Sequence, residues 1–123
     1  MSHCFLKIQN LTQKTFIAIQ SKKADTFGTR LIGLLSRHKL NAGEALIITR
    51  CQCVHMLFMR FAIDVIFVDK DDWVIGLVPH LKPFQFSPYY LKASYAIECP
   101  VGTIGRTLTK IGDKIQINYV DLT

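Results

Sequence analysis

The sequence predicts a mainly β protein: an antiparallel sandwich or open barrel of about eight short strands, with one helix near residues 26–36. Three observations carry this prediction. Short runs rich in β-branched and aromatic residues alternate apolar with polar side chains, as half-buried strands do. Turn-forming clusters separate those runs. Helical periodicity is found in one place only.

The elements follow in chain order. Phe5-Leu-Lys-Ile-Gln9 and Lys14 to Gln20 alternate around Asn10-Leu-Thr-Gln13, which predicts an opening β-hairpin. Asp25 or Thr26 suits an N-cap, and Leu31, Leu34 and Leu35 fall at i, i+3, i+4, so a helix is expected over 26–36. Asn41-Ala-Gly-Glu44 is a turn before a strand over 45–49. Residues 54–60 and 63–69 read as two strands joined by a tight hairpin. Asp69-Lys-Asp-Asp72 is a charged loop before a strand over 73–78. Pro79, Pro83 and Pro88 punctuate a loop to about residue 90. Residues 93–98 and 114–118 complete the strands, with a single helical turn expected after Pro100 and a turn at Ile111-Gly-Asp113.

The chain has 123 residues, half of them apolar and a fifth charged, the balance of one folded domain over 1–123. The net charge of +6 is scattered rather than gathered into a basic run, which argues against nucleic acid as a partner. Lys7 and Gln9 interrupt the apolar start, so no secretory leader is expected, and no stretch reaches the length of a membrane span. A soluble cytoplasmic protein with four free thiols is the expectation.

Residues 50–69 concentrate the polar candidates in core-type surroundings, where each needs a partner. Cys51, Cys53 and His55 fall at i, i+2, i+4, on one face of a strand. Thiolates and imidazole suit zinc or copper, but same-face strand neighbours stand about 7 Å apart, too far for easy shared ligation. Small buried thiols and a hydrogen-bonded His55 are the simpler account, and the sequence identifies no metal or other cofactor. A Cys51–His55 nucleophile pair, in a hydrolase or transferase, lacks a helix N-terminus beside either cysteine. Across the expected hairpin Arg60 and Asp64 would meet as a charge-assisted pair, holding the turn or binding an anion or hydroxyl ligand. Glu98, beside Cys99 and near Arg106, suits a salt bridge; no second carboxylate stands at a catalytic spacing. Trp73, Phe84, Phe86, Tyr89 and Tyr90 flank the proline-rich loop as a core lid or a stacking platform. Tyr89 and Tyr90 cannot both face inward from extended backbone.

Gly33-Leu-Leu35, the block Cys51-x-x-Val54-His55-x-x-Phe58-Met59-Arg60-Phe61-x-Ile63-Asp64-Val65-x-Phe67, and Leu81-Lys-Pro83 resemble the DUF192 family, also called UPF0127. Glu98 and the ending Gly102-Thr-Ile104-x-Arg106-Thr107 with Gly112-Asp113 do likewise. The resemblance runs from about residue 20 to 117 and implies a compact β-rich fold with one helix, among small bacterial and archaeal proteins of uncharacterised function. It supplies no catalytic or ligand-binding residue. Ala62, Ser36 and Phe84 stand where the family often has Pro, Gly and Trp. It supports Cys51 and His55, not Cys53, which tells further against a three-ligand metal site.

Together these readings favour a non-catalytic module for a small ligand, carbohydrate or carboxylate, or for a protein partner. His55, Arg60, Asp64, Phe84 and Tyr89 are its candidate binding residues. A thiol enzyme using Cys51 or His55 and a zinc-dependent module are the alternatives.

Overall fold

Alternating residues at the start of the chain form an antiparallel pair, β1 (Cys4–Asn10) and β2 (Thr15–Ala24), turned at 11–14. The computed structural model describes residues 4–24, 40–56 and 59–121, so the helix expected over 26–36 lies outside the described residues. The chain resumes as β3 (Glu44–Thr49), β4 (Ile63–Asp69), β5 (Val74–Leu81), β6 (Ala93–Pro100), a four-residue helix α1 (Thr103–Arg106) and β7 (Ile115–Asp121). These seven strands make one sheet in the order β5-β4-β6-β3-β2-β1-β7.

The fold is mainly β and its sheet open, as expected, with one difference of detail. The β2–β3 pair is parallel, Gln20 opposite Glu44 through Ala24 opposite Ile48, so the sheet is mixed. Its two edge strands approach only at a bridge between Trp73 and Lys114, where Val74 N–H donates to Asp113 O and Gly112 N–H to Val74 O. The Lys114 ammonium lies 4.5 Å from the centre of the Trp73 ring at this corner.

Each central strand feeds both faces of the sheet. Leu46, Ile48, Val65, Phe67 and Ala96 face one core, which Val54, Met56, Met59 and Leu81 complete. The intervening Ile47, Ile66, Val68, Ile97 and Cys99 face the other, against Leu6, Ile8, Ile17 and Ile115 of the outer strands. The sheet thus curls over its own concave face, and residues 51–56, 59–61 and 82–91 cover the convex one. Strand β4 is buried on both faces from Ile63 to Val68, hence its nearly unbroken apolar sequence.

That placement corrects the expected strand over 54–60. Both edges of β4 are already paired, with β5 and β6, so no ladder is open to a further hairpin partner. The described part of 54–60 lies against 84–87 instead, and it holds one isolated bridge, His55 to Phe86, rather than a strand. The expected loop from Pro79 starts later. Strand β5 continues to Leu81 because it is an edge strand, where a residue without an N–H is tolerated. Pro79 and His80 together oppose Asp64, a β-bulge with His80 in the left-handed region at φ 52°. Gly76 of β5 has a packing reason to be glycine: a Cβ there would stand 2.4 Å from Cε1 of Tyr90, whose ring packs on Phe67.

The buried turn polar groups are satisfied as a set. Asn10, fully buried, donates from Nδ2 to Thr109 Oγ1 at 3.1 Å and to Asp113 Oδ2 at 3.0 Å, while its Oδ1 accepts from Gln13 N–H. Lys110 N–H and Gln13 Nε2 also donate to Asp113. The first hairpin turn is thereby tied to the 107–113 loop. Burial alone would push the Asp113 carboxyl up. The hydrogen bonds from Asn10, Lys110 N–H and Gln13, with the Lys110 charge, outweigh burial and hold it below its ordinary 3.8. A depressed folded-state value means that Asp113 adds stability above the unfolded-chain value and loses it as pH falls through the folded one. Acid unfolding of the wild type should therefore include a loss below pH 3.8 that Asp113→Asn lacks. Parallel curves in chemical denaturation at pH 3 to 6 would contradict this.

Candidate functional site

Two covering segments meet edge to edge over the convex core. Ser87 N–H donates to Val54 O and Met56 N–H to Gln85 O, each at 2.8 to 2.9 Å; Phe84 N–H donates to Met56 O and Tyr90 N–H to Gln52 O, both at 2.8 Å. Ser87 Oγ accepts from Val54 N–H at 2.8 Å. Side chains add two more ties: Tyr89 Oη donates to Gln52 Oε1 at 2.8 Å, and Gln52 Nε2 to Leu91 O at 2.6 Å. These contacts fix the backbone of both segments although neither is a regular strand.

From this frame apolar side chains point to water. Phe84 is 74% exposed, Tyr89 63% and Phe86 61%. The imidazole of His55 is half-buried beside Phe86, with ring centres 6.3 Å apart. Phe84 has φ 68°, a left-handed conformation that costs about 1 kcal/mol or more for a residue with a Cβ. Tyr90 turns inward onto Phe67, at 4.5 Å between ring centres, while Tyr89 turns out. Trp73 stands apart, at the corner with Lys114.

The structure separates the other candidates. Asp64 is buried and shares the parity of Ile66 and Val68, so its side chain lies on the concave side, away from the His55 segment. Its Oδ1 accepts from His80 N–H at 2.9 Å, and its Oδ2 from Gly102 N–H at 3.1 Å and Ile104 N–H at 3.0 Å. Arg60 is exposed, and the pair expected across the hairpin does not form. Backbone amides take the place of the guanidinium. Arg106 donates to the carbonyls of Phe16 and Ile17. Glu98 is fully buried in β6, opposite Leu46 and Val65.

Cys53 is exposed, with Sγ 3.7 Å from Ser87 Oγ; Cys51 is half-buried, its Sγ 3.3 Å from Cys53 O. Among the described residues, no three of His, Cys, Asp and Glu are grouped as a metal requires. Gln52 and Leu91, which join the exposed face, were not legible from sequence, because an isolated glutamine or leucine in a loop carries no periodic signal.

Residues 8–117 match the model of DUF192, described as an uncharacterized ACR. The chain belongs to the DUF192 family. A UPF0127 protein of Pyrococcus furiosus is 36% identical over 122 residues, covering 89% of this chain and 96% of its own. Two solved structures share the DUF192 fold. One, a protein of unknown function from Novosphingobium aromaticivorans, has a TM-score of 0.75 at 22% identity, over 90% of this chain and 82% of that one. The other, from Sinorhizobium meliloti, has a TM-score of 0.73 at 16% identity, over 94% and 93%. No helix among the described residues of this DUF192 chain is long and apolar enough to cross a membrane.

The thiols differ in reactivity. Burial first, then the Asp64 charge, pushes the Cys99 thiol far up, so almost no thiolate forms there near neutral pH. Residue-resolved alkylation of native protein should label Cys53 readily and Cys99 only on unfolding. Equal native rates at the two would contradict the placement.

Proposed function

We propose that the protein is a non-catalytic binding module for a carbohydrate, held on the exposed face of the 51–56 and 84–91 segments. One observation supports this most: Phe84 and Tyr89 are each more than half exposed, on a backbone that hydrogen bonds hold in place. Exposed rings on a fixed frame stack against the C–H faces of a sugar without first ordering a loop. Polar groups at the edge, Gln52, the Tyr89 hydroxyl and the His55 imidazole, match a ligand with many hydroxyls. Arg60 is exposed next in sequence to the buried Met59, and supplies a cation for a sugar bearing a carboxylate. Asp64 serves this reading indirectly, by holding the His80 bulge just ahead of Pro83 and Phe84.

The reading assigns no catalytic residue and no cofactor. We place the protein in the cytoplasm, where thiols such as those of Cys53 and Cys99 stay reduced. Titration of the protein with soluble malto-, cello- and chito-oligosaccharides, followed by aromatic NMR resonances, tests it. A binding sugar should shift Phe84 and Tyr89, and Phe84→Ala or Tyr89→Ala should each weaken it about ten-fold, the loss of roughly one stacked ring. Aromatic resonances unmoved by every sugar in the millimolar range would end the proposal.

A further inference from the structure

We propose a second, separate site at the open end of the curled sheet, for a small organic anion with an apolar body. The concave core does not fill the curl to its end. Beyond Leu6, Ile47 and Ile117 lies a cavity of about 320 Å³, whose wall also includes Lys23, Thr49, Arg50, Ser94, Tyr95 and Tyr119. These residues reach it from β1, β2, β3, β6 and β7 and the turn after β3, which is why no sequence run marks it.

Charge and shape select the ligand. Among the described residues of the wall the two charged ones, Lys23 and Arg50, are both cations. Both residues are exposed, so their charged ends are open to an incoming anion. Arg50 is held by a left-handed turn at φ 53° and by its N–H donating to Ser94 O at 2.8 Å. Its guanidinium suits a carboxylate or phosphate head. The floor of Leu6, Ile47 and Ile117 is aliphatic, and the rings of Tyr95 and Tyr119 line the wall. Tyr95 donates its hydroxyl to Asp72 Oδ1 at 2.8 Å, so it contributes ring rather than hydrogen bond. The volume, about that of ten liquid waters, fits a monocyclic or short-chain anion. The mouths of curled and barrel sheets are recurrent ligand sites on general grounds. This site shares no wall residue with the aromatic face and does not rest on the carbohydrate reading.

The probes are phenyl phosphate and benzoate, with benzyl alcohol as the neutral counterpart and inorganic phosphate as the head alone. Amide NMR of the full chain reports where each binds. The two organic anions should shift Arg50, Ser94 and Tyr119 and saturate, with inorganic phosphate weaker and benzyl alcohol weaker still. Lys23→Gln and Arg50→Gln should each weaken phenyl phosphate about ten-fold, the loss of one charge-assisted contact, while Arg50→Lys retains part of the affinity. Phe84→Ala should leave it unchanged. Equal binding of benzyl alcohol, unsaturable shifts spread over scattered lysines, or full affinity in both glutamine variants would each overturn the proposal.

Discussion

The carboxylate of Asp64 joins three parts of the chain that no ladder connects at that point. Placing a charged group in the interior costs several kcal/mol unless hydrogen bonds replace the lost water. Here three backbone N–H groups do so, one from the β5 bulge at His80 and two from the turn that opens α1, at Gly102 and Ile104. Each of those amides would otherwise lack a ladder partner, His80 because of its left-handed backbone and the others because they begin a helix. The cost of the buried acid and the cost of the irregular backbone cancel against one another. Direction follows from this: β5 ends where the carboxylate holds it, and the chain leaves toward the covering segment 82–91.

A second constraint acts through β4. With both edges paired and both faces buried, this strand leaves surrounding segments only covering roles. The 51–56 segment, apolar at Val54 and Met56, buries those two side chains and pairs its backbone with 84–90 instead. The exposed rings of Phe84, Phe86 and Tyr89 result from the same geometry. Ser87 is the buried residue of the 84–89 stretch, and the side chains around it, Gln85 included, lie on the outer side of the covering segment. A polar residue there would be the ordinary choice, and the aromatic ones leave the face with exposed rings.

Much of the fold was legible locally. Alternation identified β1, β2 and β6, β-branched and aromatic residues marked β4, and Asp69-Lys-Asp-Asp72 marked its turn, because those signals depend on neighbours in sequence. The expected strand over 54–60 was indistinguishable by pattern from a real one; what decided it was the occupancy of β4's edges, a property of the whole sheet. Pro79 read as the start of a loop because its tolerance in β5 depends on edge position. The Arg60–Asp64 spacing suggested an ion pair, yet the bulge at Pro79 and His80 gave Asp64 closer partners from 16, 38 and 40 residues away. Lys23 and Arg50 share a cavity because β2 and β3 run parallel, which carries the ends of both strands to the same side of the sheet. No local pattern encodes that juxtaposition.

The central claim, that one carboxylate holds the β5 bulge and the α1 turn together, is tested most directly by residue-resolved hydrogen exchange on Asp64→Asn and Asp64→Ala beside the wild type. The amides of His80, Gly102 and Ile104 should lose protection together in Asp64→Ala. The protein as a whole should be destabilised by about 2 kcal/mol or more, since three buried donors lose a charged acceptor. Asp64→Asn, which keeps one acceptor oxygen, should fall between. Unchanged protection at all three amides in Asp64→Ala, with stability close to wild type, would contradict the account.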